Sequence, residues 1–357
     1  MANCNTSFRE YNSKIRLSDE NRSLLIKVRE TLRKRMENGY QLFEEKERGG
    51  NVLEFQSQGS FVMDTIITPE KEDFDLDDGV YFIGKLEEKN RPKPSVFHNW
   101  IIKAIDKDND HEDVIDKDTC VRVQYKRGFH IDLPIYYACK MEHPELSHKK
   151  NGWITSNPVE FIGWFEEKAN SSFKKEYLYE TKLFSQEFDK WLTDMRKKNC
   201  QLRRIVRYLK SWADLKRKEM PCGIEITILT AINYKINDRD DLSLYSTLMN
   251  IKNYLLGNGF KCPRPTVPVG EDLFKHKSKE ENEYFLNALN SLIVSAKKAI
   301  DNESEIEACI EWKKHFGDRF SKTNIYINQT SPKKDLTALH TIASMSKPYG
   351  YIYKYKK

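Results

Sequence analysis

Asp73, Asp75, Asp77 and Asp78 fall within six residues, "DFDLDD", interleaved with Phe74 and Leu76 and followed by Val80, Tyr81 and Phe82. Carboxylates this close repel one another unless a cation sits among them. A calcium loop has the right one-three-five spacing at Asp73, Asp75 and Asp77. It fails where Asp78 stands for the turn glycine and Gly84 for the bidentate glutamate. A solvated acidic turn is the usual fate of a charge run, but the apolar residues around this one read as a core strand. On a strand, Asp75 and Asp77 share one face, about 7 Å apart, while Leu76 and Asp78 face away. Such a pair suits divalent cations, and a third carboxylate from a neighbouring strand would complete a two-metal site. "FHIDLPIYY" supplies one. There Phe129, Ile131, Leu133 and Ile135 form an apolar face, and Asp132 lies on the other. An aspartate in such a strand needs a partner to offset its desolvation, and a metal is the simplest. Upstream, Gly59 and Ser60 end a strand, with fourteen residues between Ser60 and Asp75. Glycine lets a phosphate approach the backbone, and the hydroxyl and following amides can hold its oxygens.

The elements needed to position these groups can be read from periodicity. Ser18 caps an amphipathic helix over 18–44, with Leu25, Val28, Leu32 and Met36 as its apolar stripe. Alternation over "NVLEFQSQGSF" predicts a strand running into Gly59-Ser60. "FDLDDGVYFIG" is the next strand, "SVFHNWIIKAI" a helix, and "CVRVQYKRGFHIDLPIYYA" two strands turning at Lys126-Arg127-Gly128. From about residue 157 the sequence turns helical. The polar stretch "EHPELSHKKNG" at 142–152 reads as the loop dividing residues 1–155 from a helical lobe at 156–357. The Lys/Tyr-rich end, "YGYIYKYKK", reads as an edge strand or a frayed end.

The whole chain adds bounds. A net charge of +6 over 357 residues fits an anionic ligand without demanding a polyanion. No apolar run approaches the ~18 residues that a spanning helix needs, and "MANCNTSFREYNSK" has no signal core, so a cytoplasmic protein without a membrane partner is expected. Seven scattered cysteines without a Cys-x-x-Cys pair read as reduced thiols, not a zinc site.

Taken together, "QGSF", "DLDDGVYF", "HIDLPIYY", "LRRIVRYLKSWAD" and "RPTVPVGEDLF", spanning 58–274, resemble the cGAS/DncV-like nucleotidyltransferases (CD-NTases) of bacterial anti-phage systems. The resemblance implies an α+β fold: a polymerase-beta-type palm behind a long N-terminal helix, a helical lobe resembling that of oligoadenylate synthases, and a cleft between them. It implies that Asp75, Asp77 and Asp132 bind two magnesium ions, with manganese a possible substitute, and that Gly59 and Ser60 hold the donor triphosphate. Lys210 occupies the family position of a lysine touching the donor phosphates. Arg203 and Arg207, at i and i+4 beside it, are expected on a solvated basic face. Cys222 stands where relatives often have a phosphate-holding serine, which puts that contact in question. Tyr81 and Tyr136 are candidates to stack on a base, against the plainer reading of two core residues.

The function implied is synthesis of a cyclic di- or oligonucleotide messenger from ribonucleoside triphosphates, with release of pyrophosphate and without a DNA or RNA template. A downstream effector would bind the product, not this chain. A linear 2′-5′ oligoadenylate synthase and an RNA-tailing enzyme use the same palm and remain alternatives, as does a degenerate nucleotide-binding module. The chain lacks the zinc insertion of the animal DNA sensor, so activation by duplex DNA is not expected. It ends in Lys-Lys, so conjugation through the tail is not expected either.

Overall fold

The computed structural model describes residues 1–70, 73–105, 113–126, 128–139, 143–169, 200–216 and 219–320; the tail read as an edge strand or frayed end lies outside them. Helices α1 (Asn5–Ile15) and α2 (Asp19–Gln41) open the chain, and Ser18 caps α2 by accepting the Asn21 amide at 3.1 Å. Two short helices follow, α3 (Glu45–Arg48) and α4 (Gly59–Val62), the second continuing directly from strand β1 (Val52–Gln58).

The sheet adds β2 (Phe74–Ile83), β3 (Asp113–Asp116), β4 (Cys120–Tyr125), β5 (Phe129–Ala138), β6 (Glu145–His148) and β7 (Gly152–Thr155). Its order is β1-β2-β5-β4-β3, with β6 also on β5 and β7 on β6. β2 and β5 run parallel, and every other pairing is antiparallel. A parallel pair needs a long crossover, and helix α5 (Pro94–Ile105) with β3 and β4 supplies it. Leu76, Val80 and Phe82 of β2 and Ile131, Leu133 and Ile135 of β5 are buried in one cluster with Leu25, Leu32 and Met36 of α2 and Phe97 and Ile101 of α5. The strand period then leaves Asp75, Asp77, His130 and Asp132 on the opposite face.

Two sequence expectations change here. The polar stretch at 142–152 is not a dividing loop: it holds β6 and runs into β7, and the two pair as a hairpin that registers Leu146 with Ile154. Only four residues per strand, half of them polar, gave too short a pattern to recognise. The first fifteen residues, assigned by sequence to the palm, bury with the helical lobe. Phe8 lies 5.0 Å from the Tyr208 ring and 4.9 Å from Trp312, and Tyr11 shares a 2.7 Å hydrogen bond with Ser211. Aromatic pairs of this kind add ~0.5–1.5 kcal/mol beyond area burial. The chain then crosses to the palm cluster, which Leu17 joins.

The second cluster is built by α1 with α6 (Pro158–Ala169), α7 (Gln201–Lys216), α8 (Gly223–Asn233), α9 (Asp240–Gly257), α10 (Lys279–Asp301) and α11 (Glu305–Phe316). Ile205, Val206, Leu209 and Trp212 put the apolar face of α7 at its centre. Both clusters belong to one compact unit, Met1–Ser321.

Candidate active site

The site is built where β1 stops. Gly59 has φ +68°, a left-handed conformation that side chains rarely adopt, and a β-carbon there would overlap the Asp77 carboxylate. The Thr65 and Ile66 amides donate to the Ser60 carbonyl at 2.9 and 3.2 Å, tying the turn to the following loop. Gly59 therefore sits directly over the Asp77 carboxylate, and Ser60 lines the same cleft.

The aspartates divide by face, also as predicted. Asp78 is buried on the α2 side, where Arg33 donates from Nε to Oδ2 (2.7 Å) and from Nη2 to Oδ1 (2.5 Å) and Ser57 donates to Oδ1 (2.9 Å). Asp75 and Asp77 line the cleft, and the parallel register sets Asp77 directly beside Asp132 and Asp75 beside His130. Burial first, then the charges of Asp75 and Asp132, push the Asp77 carboxyl well above its ordinary value, while Lys210 and Arg122 oppose the shift.

Asp132 has a partner that sequence reasoning missed. Arg122 of β4 faces it across the ladder and donates from Nε to Oδ1 (2.6 Å) and from Nη2 to Oδ2 (2.7 Å), with Lys117 Nζ at 3.9 Å. The charge offsetting this aspartate's desolvation is thus a guanidinium, and Asp132 needs no metal for that purpose. The signal was present: a hairpin centred on residue 127 pairs positions 122 and 132, and Arg122 interrupts an apolar strand.

Lys210 reaches the cleft from α7 and donates to Thr65 Oγ1 at 3.4 Å. Burial lowers its ammonium to about 8, against the opposing pull of Asp75, Asp77 and Cys222. Cys222 precedes α8, with its amide donating to Glu225 Oε2 at 2.7 Å. Cys222 is exposed at the cleft wall, and its thiol is pushed up by partial desolvation there and then by the Glu225 charge, so it stays protonated and keeps a weak donor. A β-carbon built on Gly223 would lie 3.7 Å from Lys210 Nζ, so Cys222 and Lys210 share one wall of the cleft. The cleft measures ≈ 1100 Å³, and its lining also includes His130, Ser156, Asn157 and Arg264. That is slightly larger than the usual range for small-molecule sites, about 300–1,000 Å³.

Other expectations are redistributed. Arg203 and Arg207 are not on a solvated face but 2% and 0% exposed. Arg203 forks onto Glu166 (2.9 and 2.5 Å) and donates to the Met63 carbonyl. Arg207 donates to Asn12 Oδ1 (2.8 Å) and to the Asp64 carbonyl, and Asp64 also takes Arg22 (2.6 Å) and Arg16 (3.1 Å). Tyr81 and Tyr136 stack on each other, 4.6 Å apart and 11° from parallel; Tyr81 is packed in the core, while Tyr136 also lines the cleft. His130 was also unforeseen. It is 8% exposed, its Nε2 has no hydrogen-bond partner among the described residues, and burial lowers the ring so that it is neutral at pH 7.

Hard oxygen donors with a raised, crowded carboxyl suit a divalent cation such as magnesium. Asp75 and Asp77 fit one such ion. Among the described residues no three His, Cys, Asp or Glu side chains are grouped to ligate a metal, and Asp132 is engaged by Arg122.

Residues 53–136 match the family model for the nucleotidyltransferase domain of cyclic GMP-AMP synthase DncV-like proteins. The structure superposes on Vibrio cholerae DncV, a cyclic AMP-GMP synthase described as a prokaryotic cGAS homologue, with TM-score 0.69 and 18% identity, covering 90% of this chain and 98% of that one. Residues 53–136 thus carry a DncV-like nucleotidyltransferase domain, within a chain that shares the fold of DncV. A c-di-GMP synthase of Roseivirga ehrenbergii is 24% identical over 262 residues, 68% of this nucleotidyltransferase and 67% of the relative. DncV in complex with the linear intermediate 5′ pppA(3′,5′)pG also matches this nucleotidyltransferase, at TM-score 0.68 and 19% identity, covering 90% of this chain and 98% of that one.

Proposed function

We propose that this enzyme joins ribonucleoside triphosphates into a cyclic dinucleotide in a magnesium-dependent reaction, as a messenger in anti-phage defence. The observation that carries the reading is one cleft holding the Asp75/Asp77 pair, the Gly59-Ser60 turn above it and Lys210 opposite. Ser60 and Lys210 hold the donor's phosphates, and the absence of a side chain at Gly59 lets them come down onto the carboxylates. An acceptor ribose hydroxyl attacks the donor's α-phosphorus as the bond to pyrophosphate breaks, and the hydroxyl proton leaves to the carboxylate side of the cleft. When bound by Asp75 and Asp77, magnesium would neutralise the triphosphate and favour ionisation of the attacking hydroxyl. Such transfers need positioning and charge stabilisation more than covalent help from the protein. Repeating the attack from the other end closes the ring. The products named for two relatives, c-di-GMP and cyclic AMP-GMP, support ring closure and make GTP the first substrate to test. No template is required, and an effector reads the product.

With magnesium and labelled ribonucleoside triphosphates alone, the enzyme should release pyrophosphate and make a short product. Every phosphate of a ring bridges two riboses, so the label should resist phosphatase, and chelation should prevent its formation. A phosphatase-sensitive ladder would instead identify a linear oligonucleotide synthase, and dependence on added RNA a tailing enzyme.

A further inference from the structure

Arg264 lines the cleft from the helical lobe, its side chain 23% exposed, and no step of the transfer uses it. It donates from Nε to Glu271 Oε2 at 3.1 Å, and its terminal Nη1 and Nη2 make no hydrogen bond among the described residues. Its direction is set in advance. The Arg264 amide donates to the Glu271 carbonyl (2.8 Å), the Gly270 amide donates to the Arg264 carbonyl (2.9 Å), and Lys275 Nζ donates to Glu271 Oε1 (2.8 Å). A guanidinium fixed at its backbone and at Nε presents its remaining donors with little further loss of freedom.

The surroundings show what those donors meet. The Val267 amide donates to Glu160 Oε2 of α6 at 3.4 Å, and Lys277 Nζ lies 3.5 Å from Glu225 Oε2 of α8, so the segment carrying Arg264 is fastened to both helices. Those helices line the cleft with Pro158, Phe161, Ile224 and Ile226, an apolar surface that suits a nucleobase. The charges acting most on Lys210 are Asp75, Asp77, Cys222 and Arg207, whereas Arg264 acts on Glu271, which sets it apart from the phosphate-holding lysine. Two donors with no acceptor fit a base edge that offers two acceptors. Guanine does so at O6 and N7, while adenine sets an amino donor beside its N7. We infer that Arg264 selects guanine, donating from Nη1 and Nη2 to O6 and N7 of a nucleotide bound in the cleft. This rests on the proposed function and names the base that the site prefers.

The test measures how GTP, ITP, 7-deaza-GTP and ATP displace a ribose-labelled, non-hydrolysable GTP analogue from the full chain in magnesium, read before turnover. GTP and ITP share O6 and N7 and should compete equally. 7-Deaza-GTP lacks the N7 acceptor and should be about tenfold weaker, and ATP about ten- to a hundredfold weaker. Arg264→Met should bring GTP down to the level of ATP and leave ATP unchanged, with Glu271 still held by Lys275. Arg264→Lys, a cation without the fork, should fall between, and the four nucleotides on wild type test the contact even where Arg264→Met does not fold. Equal displacement by GTP and 7-deaza-GTP from wild type overturns the assignment. A preference for GTP that persists in folded Arg264→Met overturns it too. So does a loss shared equally by all four nucleotides, which would put phosphate on Arg264. If wild type binds neither the labelled analogue nor any of the four, the proposed function falls together with this role.

Discussion

Asp77 is held under Gly59, beside Asp75 and across the ladder from Asp132, and its raised carboxyl is the cost of that crowding. A carboxyl whose folded value lies above its unfolded value holds a proton in the folded chain that the unfolded chain has released. Its contribution is therefore favourable below the ordinary carboxylate range and is lost as pH rises through the interval between the two values. Asp75→Asn/Asp77→Asn should remove that loss. In EDTA, urea unfolding of the double variant should show equal or greater stability at pH 7 and a flatter pH dependence, while synthesis disappears; retained turnover would sink the assignment. Lys210 titrates the other way. Its ammonium is lowered to about 8, and only the protonated form can donate to phosphate. Affinity for a non-hydrolysable nucleotide should weaken as pH rises through about 8, and Lys210→Arg should move the weakening to higher pH. Lys210→Ala should lose ten- to a hundredfold in affinity, the value of a charged hydrogen bond of roughly 1.5–3 kcal/mol, with little change in Tm. An affinity that does not respond to pH or to substitution would remove Lys210 from the site.

At the scale of the element, α7 shows what periodicity can and cannot say. Its apolar stripe, Ile205, Val206, Leu209 and Trp212, was legible because it depends only on the helix repeat. The fate of its arginines was not. Arg203, Arg204 and Arg207 meet Glu166, Asp240 and Asp64, residues 37, 36 and 143 positions away. The helix repeat places an arginine on a face without showing which carboxylate will arrive there. Arg203→Met should strand Glu166, 1% exposed, and removing one partner of a buried pair costs about 3–5 kcal/mol. The expected fall in Tm is on the order of 10 °C. A loss below about 1 kcal/mol in denaturant unfolding would return Arg203 to the solvated class. Pairing it with Glu166→Leu should recover part of the loss. The β6–β7 hairpin belongs to the same lesson: short strands with polar residues on both faces are recruited by the open edge of β5, which their own sequence does not announce.

In the whole molecule, the cleft draws on both hydrophobic clusters, with Asp75, Asp77 and Ser60 from the palm and Lys210 and Cys222 from the helical lobe. A nucleotide bound there touches both, so it should stabilise the unit cooperatively. At a hundredfold its Kd, a non-hydrolysable GTP analogue with magnesium should add about 2.7 kcal/mol. The resulting rise in Tm should largely vanish in EDTA, and a shift indifferent to EDTA would separate nucleotide binding from the carboxylates. The sequence by itself determined which strand faces carry Asp75, Asp77 and Asp132, where the Gly59-Ser60 turn falls and which helix brings Lys210, because strand and helix periods and a glycine's conformational freedom are local properties. Only the tertiary structure decided that Asp132 is held by Arg122, that Asp64 gathers Arg22 and Arg207 from two helices and Arg16 from the link after α1, and that α1 leaves the palm for the other lobe. Those are matters of which distant charge or apolar surface each group meets, and burial makes meeting one obligatory without naming it in advance.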